Sequence, residues 1–139
     1  MTAEQALLLP LFLHVLFTMG LGLVSANARR KALLAGRARL AEVVIDPRTY
    51  PDDVKKLGNN FDNQFQMPML WYAVTAFTLI LGLASPVFVI LSWAFLAARL
   101  LHSFIHVGRN ILIQRFAVFL ASAVILTTQW IWLAYKVFI

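Results

Sequence analysis

Cysteine is absent from all 139 residues. The chain therefore has no disulfide frame, no cysteine metal site and no thiolate nucleophile of its own. Acidic residues are few, six in all, and charged residues make up only 13% of the sequence, about half the usual share. None of the acids falls inside a long apolar run. That removes the carboxylates that normally support a histidine metal centre. No phosphate-binding glycine loop, serine-histidine-acid set or heptad repeat is visible.

What remains is apolar. Hydrophobic residues are 61% of the chain, and the mean hydropathy is +0.78. Soluble domains are about half apolar, so these values place the chain in the membrane class. The net charge of +6 could suggest nucleic acid. The basic residues instead border the hydrophobic runs, without a nucleic-acid motif, so they read as membrane topology signals and no nucleic-acid partner is expected.

A bilayer crossing needs about 20 mostly apolar residues. The sequence predicts four, over 6–27, 66–84, 87–107 and 115–136, as a single membrane domain of all-α class, an integral membrane four-helix bundle. The first run lacks a basic leading segment and is followed by arginines, which suits a retained helix rather than a cleaved signal. Short links at Ser85-Pro86 and Gly108-Arg109-Asn110 predict antiparallel neighbours: the second helix beside the third, and the third beside the fourth. The one long connection, 28–65, carries eight lysines and arginines against five acids. Its first part, RRKALLAGRARLAEVV, prolongs the first helix into water. From Pro47 to about Gly58 it reads as an irregular surface loop. Counting lysine and arginine puts this loop and the Arg109 turn in the cytoplasm and both termini outside.

The most informative stretch is Arg99–Arg115, RLLHSFIHVGRNILIQR. Arg99, His102, Ser103 and His106 fall at i, i+3, i+4 and i+7, one face of a helix, and Asn110 extends that face if the helix continues. Lipid cannot satisfy such a stripe, so it faces protein, water or a ligand. Arg99 lies about two turns inside the run. Alone it could snorkel to the interface; in register with the others it favours a lined polar cavity. His102 and His106 have metal-ligand spacing but no third ligand, so no metal site is expected. Arg115 begins the fourth helix, opposed to the helix dipole, which suits an arginine facing an anion or thiolate, or lipid phosphate. Phe119, Ser122 and Gln129 share its face.

A second rich segment is Asn59–Tyr72, NNFDNQFQMPMLWY. Asn59, Asn60, Asn63, Gln64 and Gln66 offer carboxamides that can grip a peptide-like ligand or cap the helix. Asp62 is the only acid at this depth and a candidate partner for Arg99 or Arg115. Trp71, Tyr72, Trp130, Trp132 and Tyr135 read as interface or packing residues. In the first helix, Gly20 and Gly22 permit close helix approach. His14, Thr18 and Ser25 share a face and read as interhelical hydrogen-bond formers.

With its four spans, basic first loop, NNFDNQFQMP and ARLLHSFIHVGRNILIQR, the chain resembles the MAPEG family, the membrane-associated proteins of eicosanoid and glutathione metabolism. The likeness covers nearly the whole chain and is nearest to an uncharacterised bacterial branch, which implies a bacterial inner membrane. The resemblance implies a homotrimer with glutathione as cofactor between subunits. Arg99, His102, Ser103 and His106 would line the glutathione pocket. Asn59, Asn60, Asp62, Asn63 and Gln66 would supply its other wall. Arg115 would be catalytic, stabilising the glutathione thiolate. The second-helix motif departs from the pattern of the synthases: a glutamate for the glutathione amino group is absent unless Asp62 substitutes, and Phe119 stands where some members place a tyrosine.

The resulting expectation is a membrane glutathione transferase or peroxidase acting on hydrophobic small-molecule electrophiles. The alternative is a non-catalytic lipid-binding or scaffold protein on the same fold. A small transporter or channel subunit is a third, weaker reading, opposed by the apolar outer halves of the helices.

Overall fold

The computed structural model describes all residues, Met1–Ile139. It is all-helical: α1 (Ala3–Leu34), α2 (Leu40–Val43), α3 (Asp52–Asp62), α4 (Met67–Ile80), α5 (Pro86–Val107) and α6 (Leu112–Phe138), with 3-10 turns at Pro47–Thr49 and Asn63–Phe65. Three of these, α1, α5 and α6, are long and apolar enough to cross a bilayer. At 1.5 Å per residue α1 extends about 48 Å, against a hydrocarbon core of about 30 Å, so it continues well beyond the apolar layer. The prolongation expected for the first helix is thus present as far as Leu34.

Local sequence explains the helix ends. Thr2 and Gln5 form a reciprocal capping box on α1, which satisfies two amide donors at its start. Pro86 occupies the first turn of α5, where its missing N–H is harmless. Between α4 and α5, Gly82 takes φ +66°, and the Leu83 amide reaches back to the Thr78 carbonyl at 2.9 Å. Glycine adopts that left-handed conformation without penalty, which allows so short a reversal.

The segment before α4 differs from the sequence reading. Residues 52–58, expected as loop, are the first part of helix α3. Pro51 precedes it, and Asp52 and Asp53 occupy its first turn, where acids favour the helix dipole. The polar character of this helix hid it from a reading based on apolar runs. α3 and α4 are separated by the turn at Asn63–Phe65 and by Gln66, at φ −100° and ψ −105°. Pro68, in the first turn of α4, has no N–H to offer a continuous helix across the break. α4 alone has 14 residues, about 21 Å of helix.

α5 packs most extensively on α6, while α1 packs on α3 and α5. The expected α5–α6 pairing is therefore present. α4, expected beside α5, has its nearest backbone neighbours in α6 and α1. It meets α5 through the long side chain of Trp71, whose indole donates to Ser92 Oγ at 3.2 Å and lies 4.9 Å from the Phe95 ring. A large indole between two helices keeps their backbones apart. Gly22 works in the opposite sense: a Cβ there would stand 2.9 Å from Phe61 Cε2, so its absence lets α3 close on α1. Gly20 has nothing within 4 Å of such a Cβ, and the close approach expected there is not seen.

The polarity of the molecule is inverted relative to a soluble domain. Fourteen buried residues are polar or charged and twelve are apolar, whereas Phe12, Leu16, Met19, Ile113, Phe116 and Ile131 are exposed. In water that distribution would be unstable; in lipid it places hydrocarbon against hydrocarbon and keeps the polar groups out of the acyl chains.

Candidate functional site

α3, the Asn63–Phe65 turn, α5 and the start of α6 enclose a cavity of about 480 Å³. Asn59, Asp62, Asn63 and Gln66 form one wall. They recur every three or four residues, so one side of α3 and the break beyond it faces the space. His102 and His106, one turn apart on α5, form the second wall, with ring centroids 5.8 Å apart and edge to face. The third wall comes from α6, where Leu112, Arg115, Phe116 and Phe119 repeat with helical spacing.

Arg115 supplies a positive charge at the cavity. Its Nη1 donates to Asn110 Oδ1 at 2.7 Å. Asn110 lies beyond α5, at φ +53°, a left-handed conformation that asparagine tolerates better than most residues. The helix-continuation expected through Asn110 is absent because α5 ends at Val107. The turn instead aims the Asn110 carboxamide at Arg115 and fixes the guanidinium. His102 and His106 each retain an Nδ1 that is buried and unpartnered within the protein. Two imidazole rings, four polar residues on α3 and the break beyond it, and a guanidinium beside two phenylalanines can bind a polar molecule carrying an anionic group. The phenyl rings give an apolar reagent a way in.

The expected residues separate into two groups. Asn59, Asp62, Asn63, Gln66, His102, His106 and Arg115 come together around the cavity. Arg99, Ser103 and Asn60 share the expected helix faces but lie behind that wall. Arg99 is wholly buried, so it does not snorkel. Its Nη2 donates to the Asn63 carbonyl at 3.0 Å, while Nε and Nη1 have no partner. Asn60 donates to Ser103 Oγ at 2.5 Å. Neither arginine pairs with Asp62, contrary to the sequence expectation: Arg99 takes a carbonyl bared by the α3–α4 break, and Arg115 takes Asn110. Leu112 and Phe116 were missed by the sequence reading, although their spacing from Arg115 and Phe119 placed them on the same side of α6. The protein contains no group of three residues able to hold a metal ion.

A family model described as MAPEG family matches residues 7–135. The chain belongs to the MAPEG family. Neither the curated proteins nor the solved structures give a match. Family membership and the three apolar helices make this MAPEG protein a membrane protein. Family membership by itself suggests a glutathione-related or eicosanoid-metabolism membrane function. The matched region contains every residue of the cavity.

Proposed function

We propose that this MAPEG protein is a glutathione-dependent transferase or peroxidase acting on hydrophobic electrophiles, with Arg115 as its catalytic residue. The observation that carries the proposal is the position of Arg115, braced by Asn110 beside a cavity that has polar walls on one side and phenylalanines on the other. The cavity volume lies within the range of about 300–1,000 Å³ typical of small-ligand sites.

Bound glutathione supplies the thiol nucleophile that a cysteine-free chain lacks. Such a thiol has an ordinary pKa of about 8.5. A guanidinium at close range favours the thiolate, and each unit of lowering corresponds to about 1.4 kcal/mol. Asn59, Asn63 and Gln66 have donors and acceptors for peptide groups, and Asp62 can receive an ammonium. His102 and His106 offer ring nitrogens for further polar contacts. Phe116 and Phe119 admit the apolar reagent from the bilayer side. Assembly as a homotrimer, with neighbouring copies completing the site, and the 66–84 segment built on α4 as the fourth crossing belong to the same proposal.

The test is ultraviolet thiolate absorbance on adding glutathione to wild type, Arg115→Lys and Arg115→Ala. The expected order of signal is wild type, then lysine, then alanine. Equal signals in all three would remove Arg115 from the mechanism. The second reading, a non-catalytic lipid-binding scaffold, is favoured by Asp62 being the lone acid of the polar wall. Thermal stabilisation by fatty acid, with none from glutathione, would decide for it.

A further inference from the structure

A separate polar path crosses the buried interior from α4 to α5. The Tyr72 hydroxyl lies 2.6 Å from His14 Nδ1. His14 Nε2 lies 3.2 Å from Gln64 Oε1. Gln64 Nε2 donates to the Asn60 carbonyl at 2.8 Å and reaches Asn60 Oδ1 at 3.3 Å. Asn60 Nδ2 then donates to Ser103 on α5. His14, Gln64 and Asn60 have no exposed surface. The path therefore ties α1, α3, the Asn63–Phe65 turn, α4 and α5 together.

The donors fix its direction. The Asn60 carbonyl can only accept, so the Gln64 nitrogen faces it and the Gln64 oxygen faces His14. An amide oxygen can also only accept, so His14 Nε2 must carry a proton. No acid lies within hydrogen-bond reach of the ring to balance an imidazolium. The neutral ring then has a bare Nδ1, which accepts the Tyr72 proton. Every link runs the same way: Tyr72 to His14, His14 to Gln64, Gln64 to Asn60, Asn60 to Ser103. The opposite tautomer would set two lone pairs against each other between His14 and Gln64.

Gln64 sits inside the turn that breaks α3 from α4. Its neighbour Asn63 faces the other way, lining the cavity and presenting its carbonyl to Arg99. Anchoring Gln64 on one side therefore sets Asn63 on the other. We infer that His14, held as its Nε2–H tautomer, is a positioning residue: through Gln64 it fixes the turn that places Asn63 between the cavity and Arg99. His14 does not line the cavity and makes no hydrogen bond to Arg99. The inference rests on the glutathione reading only in the last arm of its test.

The experiment uses the full chain in lipid nanodiscs with isotope-labelled histidine and arginine, read by nitrogen NMR. In the wild type, His14 is expected to show a protonated Nε2 and a bare Nδ1. A protonated Nδ1, or an even tautomer mixture, would overturn the inference without any variant having to fold. The Arg99 side-chain signal is the second readout. It is expected to shift in Gln64→Leu and His14→Leu and to return toward wild type in His14→Gln, whose amide can still donate to Gln64. An unmoved Arg99 signal in both leucine variants would also overturn it. In the third arm, loss of the hydrogen-bonded link is expected to weaken glutathione binding about tenfold in His14→Leu, and by about threefold or less in His14→Gln. Equal affinities across the series would count against positioning. Failure of the wild type to bind glutathione would sink the proposed function, while the tautomer and the Arg99 signal would still decide the role of His14.

Discussion

Arg99 shows how a single side chain can be poorly suited to stability and well suited to a site. It is wholly buried, with one carbonyl as partner and two nitrogens unpartnered. Burial of a guanidinium with no carboxylate beside it costs several kcal/mol, whereas removing it leaves the Asn63 carbonyl unpartnered at about 1–3 kcal/mol. Arg99→Met is therefore expected to hold or raise the melting temperature in the absence of ligand, and to weaken glutathione binding. A melting curve and a binding titration on the same sample check both. A large loss of stability without ligand would show that Arg99 serves the fold instead. The spacing of Arg99, His102, Ser103 and His106 was enough to place all four on one buried face. It could not show that Asn60 would claim Ser103, or that Asn63 rather than Asp62 would meet Arg99. Those partners come from a helix and a turn whose position depends on packing far along the chain.

At the scale of elements, α3 is the part least visible in the sequence and most involved in the site. Its residues are mainly polar, so apolar periodicity did not reveal its first half, yet it supplies Asn59 and Asp62 to the cavity wall. It is held from one side by Phe61 against Gly22 and from the other by its first turn, where Arg37 grips Asp53 at 2.7 and 3.2 Å. Hydrogen bonding from Arg37 lowers the Asp53 pKa below its ordinary value of 3.8, and the attraction of the Arg37 charge adds to the effect. A folded-state pKa below the unfolded one means that the contact stabilises above the unfolded value and is lost as pH falls through the folded value. Both groups are exposed, so the effect is small. Asp53→Asn is accordingly expected to melt slightly below wild type at neutral pH and low salt. The difference should fade as pH drops through and below the ordinary carboxylate value, and in high salt. A difference unchanged at acid pH would mean that the loss depends on neither the ion pair nor the carboxylate charge at the helix start.

For the whole molecule, the strongest feature of the sequence is also the most general: polar groups gather inside and apolar ones outside, so the chain needs a bilayer before it needs a ligand. Composition and run length made that legible, along with the three long helices. Run length also predicted an apolar segment after Gln66, but not that its helix would stop at Ile80 and be preceded by a broken, polar one; proline at position 68 and tertiary packing decide that. Orientation can be tested directly because the chain has no cysteine to remove. The basic 28–65 segment and Arg109 border one end of the long helices, while the Leu81–Ser85 link between α4 and α5 carries no charge. Lysine and arginine are retained on the cytoplasmic side. In intact cells, a membrane-impermeant maleimide is expected to label Leu81→Cys, at an exposed position of that link, and to spare Lys56→Cys and Arg109→Cys until the membrane is opened. Labelling of Lys56→Cys from outside would reverse the orientation and put the polar cavity on the outer face, away from the reduced thiols of the cytoplasm that the proposed chemistry requires.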